Sequence, residues 1–220
     1  MRRKRTTKQP KPVEGYKDIE RFSLRERLVH WTAAVSFVYL MLSGLSLYYP
    51  RLYWISSILG GGTTARVWHP YAGIVFFIAL TIMFYSWARC MLLYPEDREW
   101  LSNIWDYITH SGKKLPEIGR FDPGQKMFFW LMVLAGFLLL VSGVPMWFPE
   151  KFSWNVKLVS IFIHEVASTA AIGGMIAHIY MGALGVPGAL GAMTRGRVTH
   201  EWTKTHHPRW YRRLKEKGTI

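Results

Sequence analysis

His164 and His178 bracket the stretch HEVASTAAIGGMIAH, inside the last long apolar segment of the chain. At about 1.5 Å and 100° per residue, the fourteen steps between them separate the two imidazoles by roughly 21 Å along a helix and return them to within about 40° of one face. One helix would then carry a nitrogen base near each end of a hydrocarbon layer about 30 Å thick. Between them this face holds only Ser168, Ala171 and Met175, and the segment carries Gly173 and Gly174. Such a surface lets a bulky flat group or a second helix approach closely. The layout suits two haems stacked across a membrane.

The elements that must position these rings are four apolar spans, at roughly 28–49, 69–89, 126–148 and 158–184. Pro70 is placed for a first helical turn of the second span. Pro145 marks a kink near the outer end of the third. In the long connection between spans two and three, Trp100, Leu101, Ile104, Trp105 and Ile108 recur at helical spacing, which predicts a short amphipathic helix on the membrane surface. Lys and Arg number 10, 6 and 8 in the N-terminal arm, the 89–126 connection and the tail, against 2 and 2 in the two opposite loops. That asymmetry is the positive-inside pattern and predicts that both termini are cytoplasmic. It also explains a net charge of +14 by topology rather than by nucleic-acid binding.

With that orientation the histidines fall on two levels. His30 lies where span one leaves the cytoplasm and His178 where span four returns to it, whereas His69 and His164 lie toward the outer side. Each level thus has two imidazoles from two helices. A haem iron ligated on both faces by histidine has no vacant position and suits electron transfer rather than oxygen chemistry. Each ligand must present an unprotonated nitrogen, with the other ring nitrogen held by a helix carbonyl or water. His110, His200, His206 and His207 fall in cytoplasmic segments and read as solvated or headgroup-level side chains.

The spans also repeat. HWTAAVSFVYLMLSGLSLYYP (30–50) aligns with FWLMVLAGFLLLVSGVPMWFP (129–149), sharing a Trp, a Ser-Gly pair and a final Pro. His69 and His164 follow at similar distances. Two such hairpins predict an all-α membrane four-helix bundle, flanked by a basic arm (1–27) and a basic tail (185–220), the bundle itself covering 28–184. Gly44 and Gly143 are equivalent, where a missing side chain admits a haem plane or a helix. Cys90 is the only cysteine, so the chain alone builds no disulfide and no iron–sulfur site, and without a Cys-x-x-Cys-His a haem would be bound non-covalently. The first span ends in LYYP with no small-residue cleavage pattern and reads as a retained anchor. Glu165, an acid in an apolar span, is expected to face Arg66 or Lys157, or else a partner subunit.

These residues resemble the gamma subunit, the dihaem cytochrome b, of membrane-bound respiratory formate dehydrogenases. The matching stretches are HW (30–31), SGL (43–45), HP with Gly73, GQKMFFW (124–130), SGV (142–144), His164, HIYMG (178–182) and HHPRWYR (206–212). The resemblance implies that His69 and His164 hold an outer haem b, and His30 and His178 an inner one. It further implies a quinone (menaquinone or ubiquinone) bound beside the inner haem by Asp122, Gly124, Gln125 and His178. The family's Asn-x-Gly-Gln-Lys reads Asp122-Pro123-Gly124-Gln125-Lys126 here. Asp122 also reads as an ordinary helix N-cap, with Pro123 in the first turn. Implied partners are an iron–sulfur beta subunit and a molybdenum or tungsten catalytic alpha subunit, in a higher oligomer at the cytoplasmic (inner) membrane. The helices alone would also fit a hydrogenase or thiosulfate reductase cytochrome, and a haem-free anchor or transporter is the reading from another class.

Overall fold

The computed structural model describes residues 18–105, 109 and 116–220. Most of the basic arm, Ile108 and His110 lie outside the described residues. Four long helices carry the fold: α1 (Leu24–Tyr48), α3 (Gly62–Trp87), α5 (Pro123–Trp147) and α6 (Trp154–Tyr180), with a short α2 (Ile55–Ile58) between the first two. All four are long and apolar enough to cross a membrane. Their outward side chains, among them Val35, Ile78, Phe137 and Phe162, are exposed and apolar, as a lipid-facing surface requires. The chain is a multi-pass helical membrane protein.

Each span starts earlier than hydropathy alone places it, because local hydrogen bonding fixes the ends. Ser23 and Glu26 form a reciprocal capping box, so α1 begins at Leu24. Helix α3 begins at Gly62, after Gly61 turns at φ +97°. Pro70 therefore lies inside the helix rather than in its first turn. It leaves the Arg66 carbonyl without its helical N–H partner. Asp122 and Gln125 cap α5 reciprocally, with Pro123 next to the cap. Helix α6 runs on into one π-helical turn at Met181–Gly185.

The helices pack as two hairpins, α1 with α3 and α5 with α6, joined across the bundle chiefly by α3 and α5. The joint is built from small residues: Ala33, Ala79, Ala135 and Ala171 share one core cluster with Phe37, Phe76, Leu80 and Met132. Gly136 accommodates the Leu80 side chain, which an added Cβ would strike, and at Gly174 a Cβ would come within 2.6 Å of Leu131. The small-residue face expected to admit a flat group or a helix thus receives α5 at Gly174.

The polar segments at the end bearing both termini are folded together rather than trailing. In the 89–126 connection, α4 (Pro95–Ser102) ends before Ile104 and Trp105, so the expected helix through Trp100–Trp105 is interrupted at Asn103; Trp100 is turned inward and Trp105 is exposed. The expected basic tail is an ordered strap. Its strand β2 (Arg197–Val198) pairs antiparallel with β1 (Ile19–Glu20), and α7 (Ala189–Thr194), α8 (His200–His206) and α9 (Pro208–Glu216) pack around them. Arg209 binds Glu96 at 2.8 Å, and Arg212 pairs with Glu117.

The firmest polar tie at this end is Lys126–Asp97, 2.6 Å apart and buried. The same Asp97 oxygen accepts the Tyr94 N–H at 2.7 Å, and Lys126 Nζ also donates to the Leu92 carbonyl at 3.1 Å. Lysine 126 of the Gly-Gln-Lys stretch therefore clamps α4 to α5. Removing one partner of a buried pair strands the other charge and costs about 3–5 kcal/mol, against at most about 1 kcal/mol for an exposed pair. Asp97→Ala is expected to lower the thermal unfolding midpoint of the detergent-solubilised protein far more than Glu96→Ala, as followed by circular dichroism.

Candidate functional site: two imidazole pairs

Each of the four histidines in the spans faces one partner, and the pairs are those expected by level. His69 of α3 and His164 of α6 have ring centres 6.4 Å apart; His30 of α1 and His178 of α6 have ring centres 6.2 Å apart. A metal held between two imidazoles lies roughly 2 Å from each nitrogen, with each ring centre about 1 Å further on, so the ring centres must stand about 6 Å apart. Both pairs meet that requirement. Among the described residues no group of three or more His, Cys, Asp or Glu gathers to hold a metal ion. Two imidazoles leave a bare ion short of ligands, whereas a porphyrin brings four nitrogens of its own. The residues present fit a haem iron at each level.

The Ser-Gly pair of the repeat explains how the first pair is held. Ser43 Oγ lies 2.7 Å from His69 Nδ1, and Ser142 Oγ lies 3.0 Å from His164 Nδ1. Each ring lies close to the neighbouring glycine of the preceding helix: a Cβ on Gly44 would sit 3.5 Å from His69 Cε1, and one on Gly143 would sit 3.7 Å from His164 Cε1, both ordinary van der Waals contact. Sequence reasoning assigned the ring's second nitrogen to a carbonyl or water and passed over the serines, although the repeated Ser-Gly was the available signal.

The second pair is held differently. The His178 ring stacks on Phe128, 4.3 Å away and 6° from parallel. His30 packs edge-on against Trp31, whose indole N–H donates to the Met193 carbonyl. Glu165 is half-buried beside the Tyr48 hydroxyl. Neither Arg66 nor Lys157 pairs with it among the described ion pairs.

Asp122, Gly124 and Gln125 come together at the start of α5, one turn before Phe128. Asp122 Oδ1 accepts the Gln125 N–H at 2.9 Å, and Gln125 Oε1 accepts from the Asp122 N–H at 3.2 Å and from buried Arg21 at 3.4 Å. Burial raises the Asp122 carboxyl above the usual range, against the Gln125 N–H and the Arg21 charge. Burial also lowers Arg21 to about 10, with Asp122 opposing, so it stays charged at neutral pH. The recorded ring contacts of His178 are with His30 and Phe128, so Phe128 is the link from this motif to the imidazole pair.

Residues 21–196 match the prokaryotic cytochrome b561 family. The chain belongs to that family. It is 36% identical over 203 residues to the cytochrome b556(Fdn) subunit of the nitrate-inducible formate dehydrogenase of Escherichia coli (strain K12), covering 91% of this chain and 93% of that one. It is 37% identical over 201 residues to the cytochrome b556(fdo) subunit of formate dehydrogenase in the same organism, covering 90% and 94%. The formate dehydrogenase cytochrome b556 subunit of Haemophilus influenzae is 34% identical over 196 residues, covering 84% and 79%. This cytochrome b561 relative is a membrane electron-transfer cytochrome of the haem b class.

The tail closes over the motif end of this cytochrome. His207, expected at the surface, is buried, and its Nδ1 lies 2.7 Å from the Gly119 carbonyl. Burial, reinforced by the Arg21 cation, lowers this imidazole from its ordinary value to about 3, although the Gly119 bond opposes the shift. A released His207 takes up a proton near pH 6.5, while the docked one resists to about 3. Acidification through that window therefore favours release. Limited proteolysis of the tail should accelerate as pH falls from about 7 to 5, and His207→Asn should weaken that dependence.

Proposed function

We propose that the chain is the dihaem cytochrome b subunit of a formate dehydrogenase complex. It carries electrons from an iron–sulfur partner on the outer side to a quinone reduced at the cytoplasmic side. The single observation that carries this reading is the pair of imidazole couples, each about 6 Å between ring centres, drawn from three helices at two depths. When bound, a bis-imidazole b haem takes and passes one electron at a time without opening a coordination position. His69 and His164 would hold the outer one, and His30 and His178 the inner one. The relatives support the choice of dehydrogenase, since the three described above are formate dehydrogenase subunits. Partners of the reading are an iron–sulfur beta subunit and a molybdenum or tungsten alpha subunit. The basic bias of the arm, the 89–126 connection and the tail supports a cytoplasmic position for that end of the bundle, in an inner membrane.

The quinone would sit at the motif end, where His178, Phe128 and the start of α5 meet. Asp122 has a raised affinity for protons there and can take one up from the cytoplasm. The Gln125 N–H holds the Asp122 carboxyl in place, and the Arg21 charge lies nearby, donating to Gln125 Oε1. Moving electrons inward while consuming inner protons stores about 2.3 kcal/mol per charge per 100 mV.

Membranes containing this chain with its partner subunits should show b-haem absorption bands that formate reduces and added quinone reoxidises. Alanine at His69 or His164 should delete one band component and alanine at His30 or His178 the other. Reduction by hydrogen or a sulfur compound but not by formate would assign the cytochrome to a different dehydrogenase, and membranes without b bands would defeat the reading altogether.

A further inference from the structure

We propose that Ser43 and Ser142 are positioning residues that fix the tautomer of His69 and His164 and lower the potential of the haem between them. This rests on the bis-imidazole reading above. A serine hydroxyl has one proton. Ser43 Oγ lies 2.7 Å from the Tyr39 carbonyl and 3.2 Å from that of Leu40; Ser142 Oγ lies 2.7 Å from the Leu138 carbonyl and 3.4 Å from that of Leu139. With its proton on a helix carbonyl, each Oγ offers lone pairs to the imidazole, and the contact to Nδ1 is N–H···O with the ring donating, the tautomer that leaves Nε2 free for iron. An imidazole whose N–H is engaged is a stronger base toward iron, which favours the ferric state.

The repeat makes this device specific to one level. His69 and His164 are the second-helix histidines of the two hairpins, so both inherit a Ser-Gly partner from the first helix. His30 and His178 are not equivalent under the repeat, one lying on a first helix and the other on a second. Accordingly His30 Nδ1 is buried with no hydrogen-bond partner among the described residues, and His178 rests on a phenyl face. The ligand environment therefore tilts the two haems: the one between His69 and His164 is held lower and the one between His30 and His178 is not. That is the downhill order for electrons moving from the first to the second. The Leu139 carbonyl also lies beside the His164 ring, so His164 keeps a second acceptor, for which His69 has no counterpart among the described residues.

The test is a redox titration of the b bands of the purified complex carrying Ser43→Ala, Ser142→Ala or both. Ser36→Ala serves as the control, because Ser36 is also buried in α1 and bonds the Thr32 and Ala33 carbonyls but no histidine. The expected result is an upward shift of only the lower of two midpoint potentials, larger for Ser43→Ala than for Ser142→Ala, with a matching change in one low-spin EPR signal and no change for Ser36→Ala. Two bound haems with unmoved potentials in both alanine variants, or a shift confined to the other haem, would overturn this inference while leaving the dihaem reading intact. Wild-type protein without two b haems would overturn that reading first.

Discussion

An imidazole that binds iron must offer one nitrogen without a proton, and inside an apolar bundle its other nitrogen has few partners to choose from. On the haem reading proposed above, the surroundings of His69 and His164 meet this requirement. The Ser-Gly step in the first helix of each hairpin supplies a hydroxyl oxygen for Nδ1. In the tautomer proposed above, the serine donates to the helix carbonyl four residues back and accepts from the ring. A Cβ on the glycine beside each serine would lie at van der Waals distance from the ring that the serine contacts.

Duplication of the hairpin gives the His69–His164 pair its symmetry, and departure from duplication gives the His30–His178 pair its difference. The inner pair draws His30 from the start of α1 and His178 from the end of α6, where the chain meets a layer of folded polar segments. That layer is held by buried charge rather than by apolar burial alone. Lys126 ties α4 to α5 through Asp97, Glu26 accepts from the Trp87 indole and pairs with Arg120, and Arg21 lies under Trp202 of the tail. The motif at the start of α5 is thus both a helix cap and part of a buried ionic layer.

The spans, their number and the pairing of histidines by depth were legible because hydropathy and a fourteen-residue spacing are regular signals. Helix starts were less so. Ser23, Gly61 and Asp122 set them through local hydrogen bonds and backbone geometry that a hydropathy window averages away. The docking of the tail was not legible: the spacing of Trp210, Tyr211 and Leu214 marks an apolar face but does not name its long-range partners, among them Gly119, Ile118 and Glu96 and the strand at Ile19–Glu20. The serines lay between these extremes. The repeated Ser-Gly was visible, but its partner ring became identifiable only once the hairpin register placed His69 beside Ser43.

Two imidazole couples at iron-spanning separation make the number and coordination of bound haems the most direct measure of the account. Haem extraction quantified against protein, together with EPR of the oxidised chain, is expected to give two b haems per chain, both low-spin and six-coordinate. A single haem per chain, or a high-spin signal showing an iron with an open position, would contradict it.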